Sequence, residues 1–219
     1  MIVLGIDSST DRLGVGLAED ERTMFEDTLD SAREHATRII GLIDSVLERT
    51  SVSKDKLDGV AVADGPGSFT GLRIGMAAAK GMARALDIPI VGVSTFEVVA
   101  RRIISKYDEF FLVAVVRKGE FYLCRVARGV EIRKSIELVS TANLPSRVGS
   151  TPTGLIGREP ADWQELTINK LPDNLTVISG GELAAMGAEM IRIGLVSDLA
   201  TLEPMYIARS QAEIKFGRK

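Results

Sequence analysis

The stretch Gly59–Ala83, GVAVADGPGSFTGLRIGMAAAKGMA, joins two kinds of periodicity. Residues 59–63 form a short, unbroken apolar run, the mark of a strand buried on both faces. Gly65, Pro66 and Gly67 then allow a sharp turn. Ser68 and Thr70 are placed to cap the first N–H groups of a helix from about Gly71 to Leu86, and such a helix start can also hold an anion. Inside that helix Gly71, Gly75, Ala79 and Ala83 recur at four-residue spacing. A glycine there costs roughly 1 kcal/mol relative to alanine, so the stripe implies a closely packed neighbour, either within the chain or on another subunit. The opposite face carries Arg73, Lys80 and Arg84.

Upstream, three strand-like runs, Ile2 to Ile6, Leu13 to Ala18 and Thr23 to Thr28, are separated by turn-length polar segments and read as a β-meander. A helix follows from about Arg33 to Thr50, with Ile39, Ile40, Leu42, Ile43, Val46 and Leu47 as its apolar side. Downstream come a buried strand at Ile90 to Val93 and a helix through about Ile104, opened by Ser94 and Glu97 at capping-box spacing. The order is βββαβαβα.

The second half repeats the pattern with different residues. Strands are expected near Phe110 to Val116, Glu120 to Ala127, Val130 to Val139, Gly154 to Gly157 and Leu175 to Ser179. Helices are expected near Thr141 to Leu144, Ala161 to Leu166 and Glu182 to Ile193, and a terminal helix within Pro204 to Lys219. The fold class is therefore α/β, two tandem lobes of residues 1–100 and 101–219, each βββαβαβα. Sugar kinases, actin and heat-shock chaperone ATPases share this duplication, the actin-like (ribonuclease H-like) fold. That analogy concerns architecture and does not assign an activity.

Composition narrows the chemistry. The 219 residues are 45% hydrophobic and 26% charged, an ordinary globular balance. The start, MIVLGID, lacks the basic leader of a signal peptide, and no run is long enough to span a membrane, so a cytoplasmic protein is expected. The net charge of -3 is the wrong sign for holding a phosphate backbone unaided. With one histidine, His35, and one cysteine, Cys124, neither a His-rich metal site nor an internal disulfide can be built. Cys124 reads as a core thiol and His35 as a surface or capping side chain.

Two further segments are candidates for ligand contact. GIDSST places Asp7, Ser8, Ser9 and Thr10 in the first turn of the meander, where actin-like ATPases bind phosphates and a metal ion; an ordinary polar hairpin reads the same way. VISGGELAAMG places Gly180 and Gly181 between a strand and a helix, either for close approach of an adenine or ribose or simply for a tight turn.

GIDSST, GPGSFTGLRIGMAAAKGMA, IPIVGVSTFEVVA, KGEFY and PMYIARSQAE together resemble the TsaB (YeaZ) family. The match is nearly continuous from Asp64 to Ala100 and patchy in the second lobe. The resemblance implies a non-catalytic scaffold subunit that pairs with a catalytic paralogue, TsaD, and an ATPase, TsaE, for threonylcarbamoylation of the adenosine beside the tRNA anticodon. It also implies a homodimer in isolation and contact with tRNA only through the complex. No catalytic or metal-binding residue is implied: Thr95 and Val99 stand where the paralogue has its two metal-binding histidines, and an oxygen and a methyl group cannot replace two imidazoles. Val115 stands where the family often carries an acid. ATP or ADP, held weakly in the interlobe cleft or at the complex interface, is the one cofactor this reading admits. The implied partner or dimer interface comprises Gly71, Leu72, Arg73, Gly75, Met76, Ala79 and Lys80, with Ile39, Ile43 and Val46 beside them. The competing readings are a small-molecule kinase or ATPase using the cleft and, less compatible with one His and one Cys, a metallopeptidase.

Overall fold

The computed structural model describes residues 1–31 and 33–205; the greater part of the expected terminal helix, 206–219, lies outside them. The first half contains β1 (Ile2–Asp7), β2 (Arg12–Glu19), β3 (Arg22–Asp30), α1 (His35–Thr50), β4 (Gly59–Gly65), α2 (Phe69–Leu86), β5 (Ile90–Ser94) and α3 (Thr95–Ile103). These strands form one sheet in the order β3-β2-β1-β4-β5. The meander is antiparallel, whereas β1, β4 and β5 are parallel.

The second half contains β6 (Glu109–Arg117), β7 (Glu120–Ala127), β8 (Ile136–Ser140), α4 (Leu144–Val148), β9 (Thr153–Ile156) and α5 (Gly180–Arg192). Its sheet has the order β8-β7-β6-β9, with β9 parallel to β6. The duplication is thus present, and among the described residues the second sheet has four strands to the first sheet's five. Three expectations give way here. Val130 to Val139 is divided into a 3-10 turn at Ile132–Ser135 and the short β8, because Arg133 is drawn toward the first lobe. Ala161 to Leu166 forms successive turns instead of a helix: Trp163 is pulled into the core against Phe121, with ring centroids 6.0 Å apart. Leu175 to Ser179 is not a strand. The carbonyls of Leu175 and Val177 accept hydrogen bonds from the Arg102 guanidinium of α3, at 3.3 and 2.9 Å, instead of from a sheet ladder.

Strand alternation sorts the apolar side chains into layers. Leu4, Ile6, Val60 and Val62 point to the side covered by α1 and α2, where they meet Ile39, Ile43, Val46, Met76 and Ala79. Val3, Ala61, Val91 and Val93 point the other way, into a cluster shared with Phe96 and Val99 of α3, Leu183 and Ala188 of α5, and Phe110, Leu112 and Tyr122 of the second sheet. The far side of the second sheet packs Val113, Phe121 and Leu123 against Leu144, Val148 and Trp163. One apolar layer therefore joins the lobes.

Helix α5 is the element that makes this a single structure. It follows β9 in sequence yet lies across all five strands of the first sheet. The approach is so close that a Cβ at Gly5 would stand 2.2 Å from the Gly180 carbonyl oxygen, and one at Gly16 would stand 2.3 Å from the Gly181 nitrogen. Two salt bridges, Arg102–Glu182 and Arg101–Glu189, tie α3 to α5. The division expected near residue 100 falls inside α3, and α5 returns to the first lobe, so the two sheets and not the two halves of the sequence mark the lobes.

This geometry separates two kinds of glycine. Gly16→Ala is expected to destabilise by about 1–3 kcal/mol through overpacking. Gly41→Ala, in α1 with no atom within 4 Å of an added Cβ, is expected to stabilise by about 0.5–1 kcal/mol. Urea unfolding distinguishes them, and a neutral Gly16→Ala would contradict the close packing.

Candidate functional site

The β1–β2 turn meets the start of α2 at one end of the first sheet. The Ser8 hydroxyl donates to the Gly71 carbonyl at 2.8 Å, and the Ser68 N–H donates to the Ser9 carbonyl at 2.6 Å. The two segments touch with no room for side chains: a Cβ at Gly71 would lie 2.0 Å from the Ser8 carbonyl oxygen, and one at Gly75 would lie 2.2 Å from Ser8 Oγ. The glycine stripe of α2 is therefore explained within the chain. Its neighbour is the GIDSST turn and the apolar layer beneath it. Ser68 caps the helix as expected, its Oγ accepting the Gly71 N–H at 3.2 Å.

This placement corrects most of the expected docking surface. Ile39, Ile43, Val46, Gly71, Leu72, Gly75, Met76 and Ala79 are all buried under the chain's own sheet. Of the ten residues, only Arg73 is exposed and Lys80 partly so. Amphipathicity decides the matter: both helices turn their apolar sides to the sheet because the sheet has no other cover there. What they present outward is different. Ile40 is 55% exposed. Gly41 and Gly81 have open space where a Cβ would be, and Ala36, Ala77, Arg38 and Arg84 are exposed beside them. The signal for this face was legible as a second small-residue spacing, Ala77 to Gly81, out of phase with the buried stripe.

A cleft of about 1060 Å³ separates the lobes beside the turn. Ser9, Thr10, Gly67, Ser68 and Phe69 line its first-lobe side, Val115, Val116 and Arg117 its second-lobe side. The Arg73 guanidinium lies 3.9 Å from the centre of the Phe69 ring, and Arg117 pairs with Glu120 at 2.5 Å. A second cavity of about 650 Å³ continues past Thr10 toward Arg33 and Val177.

The candidate nucleotide residues divide. Asp7 and Ser8 face the protein interior, while Ser9 and Thr10 reach the cleft. The Asp7 carboxyl is 1% exposed and accepts the Ser9 N–H at 3.0 Å. Burial raises its pKa from 3.8 to about 6, opposed by its hydrogen bonds with Ser9. Gly180 and Gly181 are pressed against β2 and β3, not open to a ligand: a Cβ at Gly181 would lie 2.2 Å from Thr23 Cγ2.

Of the two positions that the resemblance sets against metal-binding histidines, Thr95 is buried and donates to the Pro66 carbonyl at 2.7 Å, and Val99 lies in the apolar layer between the lobes. His35 is buried instead of superficial, with Nε2 3.4 Å from the Asp11 carbonyl. Cys124 is a core thiol whose pKa burial raises to about 11. In the Ser94–Glu97 pair, the Glu97 carboxylate accepts the Ser94 N–H at 3.3 Å.

Two linked sheets with helices between and around them define the class, a two-lobed α/β protein with the actin-like fold. YeaZ from Pseudomonas aeruginosa has the same fold, at a TM-score of 0.73 and 20% identity over 94% of this chain and 100% of that one. The activator of 2-hydroxyisocaproyl-CoA dehydratase from Clostridium difficile shares it at a TM-score of 0.54 and 10% identity, covering 89% and 97%. Residues 29–142 match the family described as TsaD: tRNA N6-adenosine threonylcarbamoyltransferase, and the chain belongs to that family. It is similar to the tRNA threonylcarbamoyladenosine biosynthesis protein TsaB of Escherichia coli strain K12, 33% identical over 130 residues, 58% of this chain and 56% of that protein. It is also similar to TsaB of Bacillus subtilis strain 168, 37% identical over 100 residues, 46% of this chain and 44% of that protein. These relatives bear out the resemblance to TsaB read from the motifs. The chain spans about half the length of the curated relatives it matches.

The buried carboxyl has a pH signature. Because its folded pKa lies above the unfolded value, its contribution is most favourable below about pH 3.8 and is lost as pH rises to about 6. Above pH 6 the ionised group therefore carries a penalty of order ~3 kcal/mol. Asp7→Asn is expected to raise stability at pH 7, with the gain shrinking through pH 6–4. Denaturant midpoints across that range measure it, and a gain independent of pH would sink the assignment.

Proposed function

We propose that this chain is a non-catalytic subunit of a tRNA threonylcarbamoyladenosine machinery, acting by docking onto a TsaD-like catalytic paralogue. The observation that carries the reading is the outer face of α1 and α2. These helices lie side by side on the first sheet, and Ile40, Gly41, Ala77 and Gly81 leave a low, partly apolar surface on which a partner's helices can pack closely. The buried stripe of α2 supports this face from beneath by locking the helix onto the β1–β2 turn. The TsaB relatives carry biosynthesis-protein names, and the family match covers this same segment of the first lobe.

In this reading the free chain pairs with itself through the same face, a TsaE-like ATPase joins the complex, and tRNA is met only through the assembled partners in the cytoplasm. The replaced ligand positions Thr95 and Val99 agree with a supporting role. Among the described residues no helix is long and apolar enough to cross a membrane. A kinase or ATPase reading finds less support: Asp7 is turned inward, and Gly180 and Gly181 serve helix packing. In this reading ATP or ADP meets Thr10 and the cleft wall.

Gly81→Arg and Ile40→Asp each place a charge on the outer face without touching the core. Each is expected to weaken association with the TsaD-like partner at least tenfold without lowering the unfolding free energy by more than about 0.5 kcal/mol. Calorimetric titration of the partner reads the first quantity and urea unfolding the second. Unchanged affinity in both variants rejects this face as the docking surface.

A further inference from the structure

Arg133 crosses between the lobes next to the strand that leads into the cleft wall. Arg133, in the 3-10 turn between β7 and β8, directs its guanidinium into the first lobe. Its Nη1 donates to Asp64 Oδ2 at 2.8 Å, its Nη2 donates to the Gly92 carbonyl at 3.2 Å, and its Nε lies 3.3 Å from Glu97 Oε2. The acceptors sit on β4, β5 and α3, so three first-lobe elements converge on one second-lobe side chain. The Arg133 turn is itself held to β7 by the Ser135 hydroxyl, which donates to the Arg125 carbonyl at 3.2 Å.

Asp64 depends on this contact. It is 6% exposed, and its Oδ1 is buried with no hydrogen-bond partner among the described residues. Burial pushes its carboxyl pKa up while the Arg133 charge pulls it down. Its carbonyl accepts the Met205 N–H at 2.7 Å, which fixes the chain leaving the described structure. The next residues lead directly to the cleft wall. Gly65 takes a positive φ of 115°, the Pro66 carbonyl accepts the Thr95 hydroxyl, and Gly67 and Ser68 line the opening before α2 begins.

We propose that Arg133 is an interlobe latch, a positioning residue that sets the cleft by holding Asp64, and with it the Gly65–Ser68 wall, against the second lobe. Without the guanidinium, a buried carboxylate loses its cation, and moving the end of β4 toward water relieves that cost. The apolar layer between the lobes keeps the molecule together, so the loosening is local to the cleft. The second lobe thereby governs how the GPGSFTG loop and the first turn of α2 are presented.

Amide hydrogen exchange on the full chain tests this. In Arg133→Met, amides of Gly67–Leu72 and Ala114–Arg117 are expected to exchange at least tenfold faster than in wild type, with those of α1 and α5 unchanged. Arg133→Lys, which keeps the charge but cannot serve three acceptors at once, falls between. Equal acceleration in every element makes Arg133 an ordinary stability contact and overturns the latch, as does no acceleration at all. If Arg133→Met does not fold, Asp64→Asn/Arg133→Met removes the orphaned charge. With no charge left to draw the end of β4 outward, the cleft amides of the double variant are expected to exchange closer to the wild-type rate than those of Arg133→Lys, and wild-type protection of these amides in Arg133→Lys overturns the proposal.

Discussion

The architecture depends on the contact between α5 and the first sheet. That contact is made backbone to backbone, because Gly5 and Gly16 lie opposite Gly180 and Gly181. Side chains on either surface would hold the helix several ångströms away, and Leu183 and Ala188 could not reach the layer they share with Val3, Ala61 and Val91. With α5 in place, the last of the described helices closes the sheet formed by the first strands. The lobes then share one apolar layer, and neither half of the sequence is a complete unit.

Charged contacts add direction to that layer. Arg102 spans α3, the Leu175–Val177 carbonyls and Glu182 of α5. Arg133 reaches Asp64, Glu97 and Gly92. Each guanidinium serves several acceptors in fixed directions, which a dispersive apolar contact cannot do. The first takes the place of a missing strand, and the second fastens the cleft loop. Leu175 and Val177, in the segment expected as a further strand, have their carbonyls satisfied by Arg102 instead of by a sheet neighbour.

Most of the fold was legible in the linear pattern. The meander, α1, β4, α2, β5 and α3 emerge near their expected bounds because each has a strong local signal: apolar alternation, an amphipathic stripe or a cap. The segments that departed, 130–139, 161–166 and 175–179, are those whose backbone or side chains are claimed by distant partners. Arg133, Trp163 and the carbonyls beside Arg102 are used across the molecule, and local periodicity carries no trace of that use. Most of the residues read as a docking surface lie under the chain's own sheet. GPGSFTG and GIDSST do come together, but they meet each other, and the stripe expected to receive a second protein receives Ser8.

Residue order alone determined which modules the chain contains and that it carries one imidazole and one thiol, since a residue count and a run of apolar spacings are properties of the string. Which side of α2 faces outward, where α5 lies and what Asp64 pairs with were decided only on folding. Those outcomes depend on distances between residues far apart in the chain. A glycine specifies that something comes close, and the packed structure alone specifies what.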